Sequence, residues 1–193
     1  MAEESQIETL AYTRRIAEIL LVDIYVELDK QDYSSNGLKD PTDTFYPKLK
    51  ARIATFYLQY GTFYEDFISK ISLTEINIGR QYQNGAKAIL HTYNNELTPT
   101  ASLALLTFFT LMAKSCITRG LDAFTDSLVE WNYRVFEEHL IEFKNNGGWE
   151  AVSKSIDTEN GGRSSQKAMG YRTFIKCVLV ITLGSLLIKA VVR

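Results

Sequence analysis

Two histidines, His91 and His139, are the side chains of this 193-residue chain suited to moving protons near neutral pH, and they fall in separate helical segments. Neither has a cysteine nearby or a paired carboxylate pattern beside it, and there is no glycine-rich phosphate loop. The charged clusters Glu137-Glu138 and Asp23 to Asp29 read as solvated faces. Only two cysteines occur, Cys116 and Cys177, both in apolar segments, so neither a disulfide scaffold nor a zinc site is expected, and a reducing compartment fits. No catalysis, no cofactor and no metal are expected.

What the residue types do suit is recognition. Phe56, Tyr60, Phe63, Tyr64 and Phe67 continue the helical spacing of Leu49 and Ile53 into a wide aromatic stripe. Such a stripe meets a core and can also line a groove; the same residues serve equally as ordinary core. The second informative segment runs from Asn145 to Val152 and contains Asn146, Gly147, Gly148 and Trp149. Its glycines supply backbone at positive φ, so one helix ends, the chain turns sharply and a short new helix starts with Trp149 folded inward. An ordinary helix stop has the same signature.

The elements that must position these residues are all helical. Ile16, Leu20, Ile24 and Leu28 form an i, i+4 ladder, predicting an amphipathic first helix that ends near Asp29 and packs by one face. Turn formers from Asp32 to Tyr46 predict a loop, and Pro47 is expected to open the second helix. Thr74 to Asn77 reads as a short capped turn, and Gln81 to Tyr93 as a modest helix carrying Ala86, Ile89, Leu90 and Tyr93. Pro99 precedes a segment from Ala101 to Cys116 that is apolar all round, the mark of a helix surrounded by helices. Lys114 and Arg119 stop it too soon for a membrane span. Leu121 to Phe143 reads as one longer helix with Phe124, Leu128, Trp131, Val135 and Leu140 inward. No strict alternation appears, and the architecture expected is all-α: a bundle of amphipathic helices around a central hydrophobic helix, with a C-terminal transmembrane tail helix.

Composition bounds the partners. A 46% hydrophobic, 12% aromatic chain of this length builds one compact body, expected over residues 1–156. A net charge of -2 supplies no basic field for phosphate backbones, so no nucleic acid is expected as a partner. Glu18 and Asp23 interrupt the first apolar segment, which excludes a cleaved secretory signal and implies synthesis in the cytosol.

Residues 157–171, rich in Gly, Ser and polar side chains, read as a flexible tether to a tail at 172–193. Only twelve residues between Lys176 and Lys189 are free of charge, about 18 Å of helix. If both lysines snorkel to the headgroups, Phe174 to Val192 covers about 28 Å, close to the roughly 30 Å hydrocarbon core. Basic flanks at Arg172, Lys176, Lys189 and Arg193 suit a tail anchor facing an anionic leaflet. The alternative is an amphipathic helix docked on the body.

In this order, an amphipathic first helix, a loop, an aromatic second helix, an apolar central helix, Asn146-Gly147-Gly148-Trp149 at a helix turn and a basic-flanked tail resemble the B-cell lymphoma two family of apoptosis regulators. The similarity covers essentially the whole chain. Asn146-Gly147-Gly148-Trp149 stands where the family has its second homology region, and Phe56 to Phe67 looks like its second helix. The resemblance implies a hydrophobic groove that holds amphipathic helices of pro-apoptotic family proteins. Its candidate lining is Phe56, Tyr60, Phe63, Tyr64, Phe67, Ile89, Tyr93, Ser102, Leu105 and Phe109. It also implies a mitochondrial outer membrane location on the cytosolic face, with the endoplasmic reticulum or nuclear envelope as other destinations and a cytosolic pool.

Two departures bear on function. Where the family has Asn-Trp-Gly-Arg, this chain reads Pro99-Thr100-Ala101-Ser102, so the arginine that pairs with a ligand aspartate is absent. A narrow subset of ligand helices is therefore expected, or a substitute such as Lys87 or a water-bridged Ser102 hydroxyl. Where the family's third region has Leu-x-x-x-Gly-Asp, the chain reads Leu49-Lys50-Ala51-Arg52-Ile53-Ala54. Ile53 and Ala54 spoil the close approach and the ion pair that a donated helix needs, so an inhibitor that receives ligand helices is expected. The alternatives are a membrane-permeabilising effector of the same fold and a tail-anchored scaffold.

Overall fold

The computed structural model describes residues 2–30, 43–71 and 73–158, which hold seven α-helices, one short 3-10 turn and no strand. The helices are α1 (Ala2–Glu27), α2 (Phe45–Lys70), α3 (Ile78–Thr92), α4 (Pro99–Thr118), α5 (Thr125–Glu138), α6 (Leu140–Asn145) and α7 (Gly148–Thr158). α4 is the hub, with α1, α2, α3, α5 and α7 all packed against it.

Every residue of α4 from Ala101 to Phe109 is buried. The hydroxyls within it make no demand on its neighbours. Thr107 donates to the Leu103 carbonyl at 2.8 Å, and Ser102 to that of Thr98 at 3.0 Å. The helix is longer than the sequence predicts because Pro99 occupies its first turn and the Thr98 hydroxyl caps it, accepting from the Ala101 N–H at 3.2 Å. Its 20 residues are long and apolar enough to cross a membrane. Shortness therefore does not set it apart from a span; enclosure by five other helices does.

Several boundaries differ from the sequence expectation, each for a local reason. α1 buries Ala17, Ile19, Leu21, Val22 and Tyr25 as well as the predicted Ile16, Leu20 and Ile24, because it wedges between α4 and α5 and needs more than one face. It ends where Asp29 turns left-handed at φ 54°, with the Lys30 N–H donating to the Tyr25 carbonyl. α2 starts at Phe45, ahead of Pro47, because the Asp43 carboxylate accepts the N–H groups of Phe45 (2.9 Å) and Tyr46 (3.3 Å). Pro47 sits in the first turn, where its missing N–H costs nothing. α3 begins at Ile78, directly out of the Thr74 turn that the Asn77 side chain closes.

The single helix expected from Leu121 to Phe143 is three pieces. A 3-10 turn at Asp122–Phe124 leads into α5, and His139 breaks the helix before α6. The break re-aims Leu140 and Phe143 into the core. α7 continues through Thr158, past the expected body boundary at 156. The rest of the tether and the tail anchor lie outside the described residues.

Candidate ligand-helix groove

Phe108 of α4 defines the candidate site. It stacks on Tyr82 of α3 at 5.4 Å between ring centroids and lies 6.0 Å from Phe67 and 6.3 Å from Tyr64 of α2. One ring of α4 thus touches both helices, while α2 and α3 make little contact with each other. Phe108 itself is buried, and α4 packs against both helices. Gly85 of α3 makes this possible, since a Cβ there would stand 2.2 Å from the Phe108 ring. An isolated glycine in a helical pattern signals close approach, and that is the sequence signal by which Gly85 and Phe108 were findable.

Of the ten predicted lining residues, seven are buried: Phe56, Tyr64 and Phe67 on α2, Ile89 on α3, and Ser102, Leu105 and Phe109 on α4. They form core in this structure. Tyr60, Phe63 and Tyr93 are half-buried. Phe56 supports Tyr60 from below at 4.6 Å, and Phe63 meets Tyr64 edge-on at 5.7 Å.

Polar groups at the seam are phenols. Tyr60 and Tyr64 lie on α2, and Tyr93 caps the end of α3. Burial, then its neighbours Tyr93 and Tyr60, pushes Tyr64 well above the ordinary range; burial first and Tyr60 second push Tyr93 up to about 12. Both are neutral donors at physiological pH. The expected substitutes for the missing arginine are placed otherwise. Ser102 is fully buried with its proton on the Thr98 carbonyl, and Lys87 is exposed on α3.

The predicted turn builds a second aromatic cluster. Gly147 and Gly148 take φ of 89° and 54°, Asn146 caps the end of α6, and α7 starts at once. Trp149 turns inward, stacking on Phe136 at 5.6 Å and meeting Phe143, Phe45 and Tyr12 edge-on at 5.2, 6.0 and 6.1 Å. Its indole N–H donates to the Thr13 hydroxyl at 3.0 Å, and that hydroxyl passes its own proton to the Thr9 carbonyl at 2.8 Å. These partners were not legible, since Thr13 lies 136 positions from Trp149.

The N-terminal half of α2 is also tied to α1. Asp23 accepts from the Tyr46 hydroxyl at 3.0 Å and from Lys50 at 2.7 Å, and Tyr12 reaches Asp43 at 3.4 Å. Elsewhere, burial pushes the Cys116 thiol up to about 12, so it stays protonated.

No protein-family model matches the sequence, and no curated protein sequence matches it. Among solved structures, the crystal structure of chicken BOK is similar with a TM-score of 0.64 and 13% sequence identity, covering 78% of this chain and 98% of that one. BOK is a member of the B-cell lymphoma two family. At that identity the likeness concerns the fold, and it spans nearly all of the neighbour: this chain folds as the helical bundle of that family.

Proposed function

We propose that this chain regulates apoptosis as an inhibitor, sequestering pro-apoptotic BH-three ligand helices and effector proteins in the α2–α3 groove at the mitochondrial outer membrane. The observation that supports the reading is Phe108 of α4 packed against both α2 and α3, with Tyr60 and Phe63 of α2 and Tyr93 at the end of α3 half-buried. An amphipathic helix laid there contributes about 1.5–3 kcal/mol per fully buried anchor, enough to offset the roughly 2–5 kcal/mol cost of ordering it.

Support for a receiving rather than a donating role comes from α2. Leu49, Ile53, Phe56, Tyr64, Phe67 and Ile68 are buried, and Asp23 and Asp43 hold the N-terminal turns. Freeing this helix would expose apolar surface worth on the order of 10 kcal/mol. The tail at 172–193 is proposed to anchor the protein in the membrane.

Titration calorimetry of the full-length chain with peptides from pro-death ligand helices and from effectors tests the reading. Sub-micromolar binding to a narrow subset is expected. Absence of binding to every peptide overturns it, and dye release from liposomes by the chain alone would replace it with the effector reading. Deletion of 172–193 is expected to move the protein from the membrane fraction to the supernatant.

A further inference from the structure

We infer that α3 opens from the bundle as one unit while the other helices stay docked, and that the hydrogen bond between Tyr82 of α3 and Asn132 of α5 is the latch that sets how often it does so. The opening is a property of the chain alone. Under the groove reading above it bares the Phe108 ring to an incoming helix, and only that consequence rests on the reading.

The latch is half-satisfied. The Tyr82 hydroxyl donates to Asn132 Oδ1 at 3.0 Å, both side chains are fully buried, and Asn132 Nδ2 has no partner among the described residues. Turning the amide over only moves the deficit to its oxygen. A stranded donor weakens the closed state, and opening returns it to water.

The helix behind the latch depends on its docking. Gly79 and Gly85 lie within its 15 residues, and glycine is a poor helix former. Close packing requires them: a Cβ would stand 2.8 Å from the Trp131 ring at Gly79 and 2.2 Å from the Phe108 ring at Gly85. α3 carries no acidic residue, and Arg80 and Lys87 pair with no described side chain, whereas α2, α5 and α7 each hold an i, i+4 ion pair. Asn77, at its N-cap, turns its side chain back to the Thr74 N–H at 2.9 Å and makes no bond to α3. Beyond its end, Asn94 and Asn95 hold left-handed φ of 59° and 60°, which opening relaxes. α3 packs on α4 and α5 and little on the rest. Few docking partners, low intrinsic helicity and a half-satisfied joint mark a segment that opens at a lower free energy than global unfolding.

Amide hydrogen exchange of the full-length chain tests the inference. Amides of α3 are expected to exchange at least about 10-fold faster than the slowest of α1 and α4. Thr13→Val weakens a contact that stays closed when α3 is out, so it should speed exchange in α1 and α4 and leave α3 unchanged. Tyr82→Phe keeps the ring on Phe108 but strands the whole Asn132 amide, and should speed α3 about 10-fold. Tyr82→Phe/Asn132→Leu replaces the pair with apolar side chains and should slow α3 to below its rate in the unmodified chain. Thr13→Val that speeds α3 and α4 by the same factor overturns the separate opening. Tyr82→Phe that leaves α3 unchanged, or a double variant whose α3 exchanges as fast as in Tyr82→Phe, overturns the latch. Where the double variant does not fold, Tyr82→Phe decides alone. The groove reading stands or falls separately, on peptide titration.

Discussion

Around Trp149, rings from α1, α2, α5 and α6 converge on an indole whose N–H is held by Thr13, and Thr13 in turn is bonded to Thr9. Across the α2–α3 seam the residue types are the same, yet two phenol hydroxyls have no described partner. Both clusters are aromatic and both are partly open to solvent, so neither ring content nor exposure separates them. The polar atoms do. A cluster whose donors are all satisfied internally is finished as structure, while one with donors facing outward is incomplete until something is laid across it.

Removing the indole should have the largest effect. Trp149→Ala leaves a void among four rings and is expected to destabilise the chain by about 3–5 kcal/mol in urea unfolding, without altering peptide binding at the seam. A loss under about 1 kcal/mol would mean the corner is not the fastener described here. Next, Thr13→Val keeps the shape and deletes the acceptor, stranding the indole N–H at a cost of about 1–3 kcal/mol. A near-neutral Thr13→Val would show that the indole finds water instead.

The turn is expected to be less costly. Gly147→Ala forces a side chain into φ 89° and a Cβ to within 2.7 Å of Ala151, for about 1–2 kcal/mol. Gly120→Ala, at φ 72° but facing open space, should cost less, and equal melting temperatures for the two would assign the whole effect to backbone strain.

Alkaline pH tests both clusters together. Tyr12 beside Trp149 and Tyr93 at the seam each have a pKa raised from 10 to about 12, in both cases mainly by burial. In this range the folded chain holds protons that the unfolded chain has released, so stability is intact below pH 10 and falls between about 10 and 12. Tyr12→Phe and Tyr93→Phe should each flatten that decline, and an unchanged slope would remove the corresponding phenol from the account. The smallest stability effect belongs to Tyr60→Phe, expected within about 0.5 kcal/mol, because its hydroxyl bonds to nothing described. A larger loss would move the seam into the same class as the Trp149 corner.

Local chemistry was legible in the sequence and long-range meeting was not. The charge-free run through α4 and the paired glycines before Trp149 announce a central helix and a sharp turn, because each depends on neighbours in the chain. The break at His139 was hidden because the apolar spacing runs straight across it, and tertiary packing of Leu140 and Phe143 decides where the chain bends. Asp43 as the cap of α2 was masked by the stronger signal of Pro47. At the seam, helical spacing placed Tyr60 and Tyr64 on one face of α2, but nothing in it shows that Phe108 of α4 meets both α2 and α3. Nor did it reveal that most of the proposed lining is core.

The order in which α4 acquires its cover has a consequence for how the chain is made. α1, α2 and α3 precede α4, but α5 and α7, which close over the rest of it, are translated later. At synthesis rates of about 5–20 residues per second, this helix, the most apolar among the described residues, waits on the order of seconds outside the ribosome with one side bare. Its length and hydropathy are those that membrane-insertion machinery accepts. During that interval, the bare side of α4 waits on the arrival of α5 and α7.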